Sequence, residues 1–174
     1  RTNIPSDDVY VPIRVGSVLH DDDFGYIRDD RGDNISLKNK SFCELTAIYW
    51  AWKNCDSDYI GLVHYRRYFT KGILFGKSAK WRGILDKYDW YALLSKYDVI
   101  VPKRRNYYIE TNKSQYEHAH NPNDLKVVED IITEFYPSYI ASFHLVLDRT
   151  WGHRFNMFVM KKELLAAYCK WLFD

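Results

Sequence analysis

The chain has 174 residues, the length of one ordinary domain able to bury a real core. Its 47% apolar and 28% charged residues exclude a disordered segment, and a net charge of +2 gives no bulk argument for nucleic acid or an anionic membrane surface. Aromatic residues reach 17%, with 15 Tyr against 9 Phe, an excess that points to half-exposed polar surfaces of the kind that cover the C–H faces of sugars.

Residues 1–33 are polar and turn-rich, with one short apolar segment from Val9 to Ile13. Asp21-Asp22-Asp23 reads as a solvated loop, although acidic triplets can hold Mg²⁺ or Mn²⁺. Gly32-Asp33-Asn34-Ile35-Ser36 is a turn. Ser41 with Glu44 fits a capping box that would open a helix over Phe42–Asn54. Leu45, Ile48, Tyr49 and Trp52 give that helix an i, i+3, i+4, i+7 stripe, and the residues between are apolar enough to bury most of its sides.

Tyr59 to Val63 then suits a buried strand in which Gly61 lets another backbone come close. His64, Tyr65, Arg66, Arg67 and Tyr68 arrive where that strand leaves the core. In open α/β sheets ligands bind outside the carboxyl ends of the strands. Paired guanidiniums match phosphate oxygens there, while Tyr adds a stacking face and a hydroxyl. The plainer alternative is an edge strand running into a basic surface turn. Thr70 to Arg82 lacks the spacing of a phosphate-binding P-loop and reads as a mobile loop.

Tyr88–Lys96 is a short helix with Leu93 and Leu94 inward, and Tyr97–Val101 a second buried strand stopped by Pro102. It too ends in cations and aromatics: Lys103, Arg104, Arg105, Tyr107 and Tyr108, with Glu110 following. If the two strands are parallel neighbours, their loops build one cleft. His118 and His120 would diverge on a helix and share a face in an extended segment. No third ligand stands at zinc spacing. Asn123 or Asp124 caps a helix to Tyr136 with Leu125, Val128, Ile131, Ile132 and Phe135 inward. Pro137 starts the next helix, on the apolar side of which His144 reads as a hydrogen-bonded residue, not a ligand. A third strand spans Phe155–Met160, and a last helix from Lys161 buries Leu164, Leu165, Tyr168 and Leu172.

Cys43, Cys55 and Cys169 form no CxxC pair, so they read as reduced thiols of a cytosolic protein, with Cys43 and Cys169 buried. There is no signal peptide and no apolar run of transmembrane length. The chain begins without Met and stops inside an amphipathic pattern, as a piece of something longer would.

Several motifs are familiar. Gly32-Asp33-Asn34-Ile35-Ser36, Glu44-Leu45-Thr46 with Tyr49–Asn54, Gly61–Phe69, Tyr107-Tyr108-Ile109-Glu110-Thr111, Phe155-Asn156-Met157-Phe158 and Tyr168–Phe173 resemble the DUF4422 family, in order and over almost the whole chain. The resemblance implies a glycosyltransferase of bacterial capsule, exopolysaccharide or O-antigen synthesis. It implies an α/β fold: a GT-A-like (Rossmann-like) sheet flanked by helices, as a single domain over 1–174, truncated at both ends. Family members usually begin with a further strand ending in His-Lys, which would help hold the nucleotide, and continue in a Leu/Glu-rich helix.

The implied partners are a nucleotide-sugar donor, a UDP-sugar first among them, and a glycan or lipid-linked glycan acceptor, with no nucleic acid, at the cytoplasmic side or the inner face of the membrane. GT-A enzymes usually place an Asp-x-Asp metal motif at a strand end. His64-Tyr65-Arg66 stands there instead, so no metal ligands are assigned. Mn²⁺ or Mg²⁺ then falls to Asp29, Asp30 or Asp33, while Arg66 and Arg67, with Arg104 or Arg105, would neutralise the diphosphate. Asp33, Asn34, His64 and Tyr65 would face sugar or acceptor. Tyr108, His118 and Asn156 complete the binding set, and Glu110 or Asp33 would serve as general base. A noncatalytic glycan- or nucleotide-binding module is the alternative from a different class.

Overall fold

The computed structural model describes residues 4–22, 24–72, 81 and 83–174. In chain order the elements are β1 (Ile13–Arg14), β2 (Ile27–Arg28), α1 (Asn39–Phe42), α2 (Leu45–Asn54), β3 (Tyr59–Leu62), α3 (Lys87–Leu94), β4 (Val99–Ile100), β5 (Arg105–Asn106), α4 (Asn112–Ala119), α5 (Pro122–Phe135), α6 (Ile140–Asp148), β6 (Trp151–Gly152), β7 (Phe158–Lys161) and α7 (Lys162–Phe173). The chain is mixed α/β and resolves into two compact units. The first spans Arg1–Val101 with Asn156–Asp174, and the second Pro102–Phe155. Among the described residues no helix is long and apolar enough to cross a membrane. Most of the loop expected over Thr70–Arg82, and Asp23 of the acidic triplet, lie outside the described residues; Asp22 pairs with Arg14 at 3.2 Å.

The first unit is organised on a three-stranded sheet of order β3-β7-β4, with β7 antiparallel to both neighbours. β3 and β4 therefore run the same way, as expected, but are not neighbours. Both are edges of this sheet, which corrects their reading as buried strands. β3 is half-buried, and Val99 and Val101 beside β4 are more than 40% exposed. Behind the sheet, Ile48 of α2, Phe158 of β7 and Leu165 and Cys169 of α7 form the core, flanked by Leu45, Trp52, Ile60 and Tyr168. The stripe expected on α2 thus faces the core. A Cβ on Gly61 would lie 2.6 Å from the Phe158 carbonyl oxygen, so the close approach expected there is made by β7.

Local chemistry moved several boundaries. The helix expected from Phe42 breaks at Cys43, whose φ is +48°, because Asn39 Nδ2 donates to the Cys43 carbonyl at 2.8 Å. α2 then starts at Leu45 without a side-chain cap, so Ser41 and Glu44 make no capping box. The same break leaves Cys43 exposed, while Cys169 is buried, as expected, and burial pushes its thiol up to about 11. Phe155 and Asn156 have φ of +77° and +50°, a left-handed turn that delays β7 to Phe158. On α7, Leu164 points outward and Cys169 takes the inner position.

Asp29, fully buried at the end of β2, ties this unit together. Its Oδ1 accepts from Ser17 N (2.9 Å) and Ser36 Oγ (2.6 Å), and its Oδ2 from Gly16 N (2.8 Å) and Thr46 Oγ1 (2.7 Å). Four donors from three segments fill the four lone-pair sites of one carboxylate.

The second unit holds α4, α5 and α6 and the antiparallel ribbon β5–β6, in which Arg105 faces Gly152 and Asn106 faces Trp151. Asn121, not Asn123 or Asp124, caps α5, with Pro122 in the first turn. Among its described residues only Ile132 is fully buried, and Leu125, Phe143 and Leu147 are half-buried. Val128, Ile131 and Phe135, expected inward, face outward, Phe135 being 64% exposed. Three short helices enclose too little volume for both apolar sides of α5.

Asp29→Ala should lower unfolding free energy by at least about 3 kcal/mol in a denaturant titration, because it strands buried donors. Gly61→Ala should lower it by about 1–3 kcal/mol through overpacking against β7.

Candidate functional site

The turn after β3 is held by Arg67 N donating to His64 O at 2.9 Å, and Arg66 stacks its guanidinium 4.7 Å from the Tyr65 ring. His64 and Tyr65 border a cavity of about 850 Å³ within the first unit, walled by Tyr10, Tyr26, Trp50 and Tyr68 above an apolar floor. That volume lies in the range of small-molecule sites. Tyr10 and Tyr68 meet edge-to-face at 5.6 Å. Tyr10 Oη donates to Leu85 O at 2.7 Å and accepts from Trp90 Nε1 at 3.2 Å. Burial pushes both phenols above their usual range, so they serve as neutral hydrogen-bonding groups.

The Gly32–Asn34 turn is clipped to the last turn of α2. Asn54 accepts from Asp33 N at 3.1 Å and donates to Asp33 O at 2.8 Å, and Trp50 Nε1 donates to Arg31 O at 2.7 Å. Tyr49 Oη donates to the Asp33 carboxylate at 3.1 Å. Asn34 is engaged within its own turn, donating to Gly32 O and accepting from Ser36 N. Asn156 Nδ2 donates to Glu44 Oε1 at 2.9 Å.

The donor set does not fit a divalent cation at Asp29 or Asp30. Asp29 has no acceptor site left. Asp30 takes both Nε and Nη2 of Arg28, which hold its carboxyl below the usual range. Among the described residues no three His, Cys, Asp or Glu side chains gather as a metal site would require.

In the second unit, Glu110 Oε1 lies 2.6 Å from His118 Nδ1. His118 sits in α4, which Thr111 and Ser114 cap reciprocally, whereas His120 packs on Tyr116 at 4.7 Å; the two histidines diverge. Arg104 lies over the Trp151 ring at 5.3 Å, and Tyr108 stands in the left-handed region at φ +65°. Sequence reasoning passed over Arg149, whose guanidinium lies 4.7 Å from the Trp151 ring, and Arg154, which donates to Tyr107 Oη. The run Arg149-Thr150-Trp151-Gly152-His153-Arg154 carried the signal, a cationic and aromatic strand like the two that were noticed.

The residues expected in a single cleft divide between the units. Asp33, Asn34, His64, Tyr65, Arg66, Arg67 and Asn156 belong to the first, and Arg104, Arg105, Tyr108, Glu110 and His118 to the second.

No curated protein matches the sequence. Among solved structures, the apo form of WbbM, a bifunctional glycosyltransferase, matches with a TM-score of 0.88 and 29% identity over 99% of this chain. The chain spans 34% of the length of that one. A family model covers residues 1–174 from end to end, and the chain belongs to that family, described as a domain of unknown function, DUF4422.

Proposed function

We propose that this chain is a glycosyltransferase domain, of GT-A type, that moves a sugar from a nucleotide donor, a UDP-sugar foremost, to a bacterial cell-surface polysaccharide acceptor. The observation that carries the reading is the whole-length likeness to a glycosyltransferase. In this reading Arg66 and Arg67 neutralise the donor diphosphate as the sugar–phosphate bond breaks, which places fixed positive charge where negative charge develops. The cavity beside His64 and Tyr65 receives the donor against its aromatic wall, with Asp33, Asn34 and Asn156 on the same unit. On the second unit, Arg104, Arg105, Tyr108 and His118 offer a set of groups for a glycan.

Transfer with inversion needs a base on the attacking hydroxyl. Two carboxylates have the needed partner. Asp33 is oriented by Tyr49, and Glu110 faces His118, which can pass the proton onward.

The test is donor turnover and donor binding measured side by side, the latter by thermal shift against UDP-, GDP-, CMP- and TDP-sugars. Substituting the base, as Glu110→Gln or Asp33→Asn, should cut turnover roughly 10²- to 10⁴-fold with donor binding within about twofold. Arg66→Ala with Arg67→Ala should weaken donor binding by about tenfold or more. Donor binding without any turnover would favour a noncatalytic nucleotide-binding module. No shift with any nucleotide sugar would sink the donor site proposed here.

A further inference from the structure

The second unit carries a cationic ribbon that includes Arg104, Arg105 and Tyr108 of the proposed glycan-binding set and extends beyond it. Its segments 102–109 and 149–155 contain five Lys or Arg residues (Lys103, Arg104, Arg105, Arg149 and Arg154) and no Asp or Glu. Among the described residues none of the five makes an ion pair. They are set on aromatic planes instead: Arg104 and Arg149 on Trp151, and Arg154 on Tyr107 at 4.4 Å. Arg154 donates its Nε to Tyr107 Oη, whereas stacking leaves the N–H edges of Arg104 and Arg149 for an oxyanion.

From the end of this ribbon projects a tip, Tyr108–Glu110. Its base is pinned on both sides, by Tyr107 N to Thr150 O at 2.7 Å and by Asn112 N to Arg149 O at 2.8 Å. At its summit Tyr108 is 86% and Ile109 92% exposed. Glu110 at its foot is hydrogen-bonded to His118.

A tip pinned at its base and offering an aliphatic chain and a phenol to solvent, beside cations that make no ion pair, is the arrangement of a peripheral membrane anchor. The apolar summit enters the acyl boundary, Tyr seats at the headgroup level, and Arg and Lys meet the phosphates. A nucleic acid or a soluble anion would use the cations equally but has no place for Ile109.

We propose that the Tyr108–Ile109 tip and the Arg/Lys ribbon dock this unit on an anionic phospholipid bilayer. The docking shares Arg104, Arg105 and Tyr108 with the transfer reading but is measured without a sugar, so the two fail separately.

The experiment is co-sedimentation of the chain with vesicles of phosphatidylcholine alone or with phosphatidylglycerol, with duplex DNA as a competing polyanion. Binding should need phosphatidylglycerol and fall with salt. Ile109→Asp should weaken it by about tenfold or more, and Lys103→Ala with Arg105→Ala by about 25-fold, near fivefold for each cation. These residues are exposed, so each variant should keep the parent thermal midpoint, which is checked in parallel. Absence of vesicle binding overturns the proposal. So does undiminished binding by Ile109→Asp alongside equally tight DNA binding, which would mark a plain polyanion surface.

Discussion

Everything that presents the candidate site in the first unit hangs from one carboxylate. Asp29 is buried and surrounded by donors that would otherwise be buried without partners, so its own strand end and the three segments it joins form together or not at all. Through Ser36 it fixes the far end of the Gly32–Asn34 turn, and through Thr46 the first turn of α2. Asn54 at the other end of α2 then clips the same turn again. Asp33 is thus carried on a loop braced at both ends, the condition under which a polar side chain keeps a reactive geometry.

The sheet adds a second constraint. β7 lies between β3 and β4 and runs against both, so the two strand ends are separated by a strand contributed from the far end of the chain. Gly61 makes this possible, because any side chain there would strike the β7 backbone.

What sequence shows clearly here is periodicity. Leu45, Ile48 and Trp52 on α2 and Leu165 on α7 reach the core as their spacing requires. What it conceals is which apolar side finds a cover. Val128, Ile131 and Phe135 follow a helical repeat as regular as that of α2, yet the unit around α5 has only enough mass to cover Ile132. Turn chemistry misled in the same way. Ser41 and Glu44 have the spacing of a capping box, but Asn39 captures the Cys43 carbonyl first. For the site, the clusters after β3 and β4 were legible because their Arg and Tyr are contiguous. Arg149 and Arg154 stand in an equally contiguous run, but that they lie beside Arg104 and Arg105 follows only from the pairing of β5 with β6.

That pairing also changes what the net charge means. Setting aside the five cations of the ribbon segments, a chain of net +2 leaves the remaining residues at −3. Residues 102–155 carry seven Lys or Arg and seven Asp or Glu, so the second unit is neutral in sum while five of its cations share the ribbon segments. Attraction of this unit to a negative surface then comes from the cations gathered on the ribbon and not from the net charge. On a cation-exchange column such a chain would be retained more firmly than its net charge suggests, because the resin meets one face and not the average.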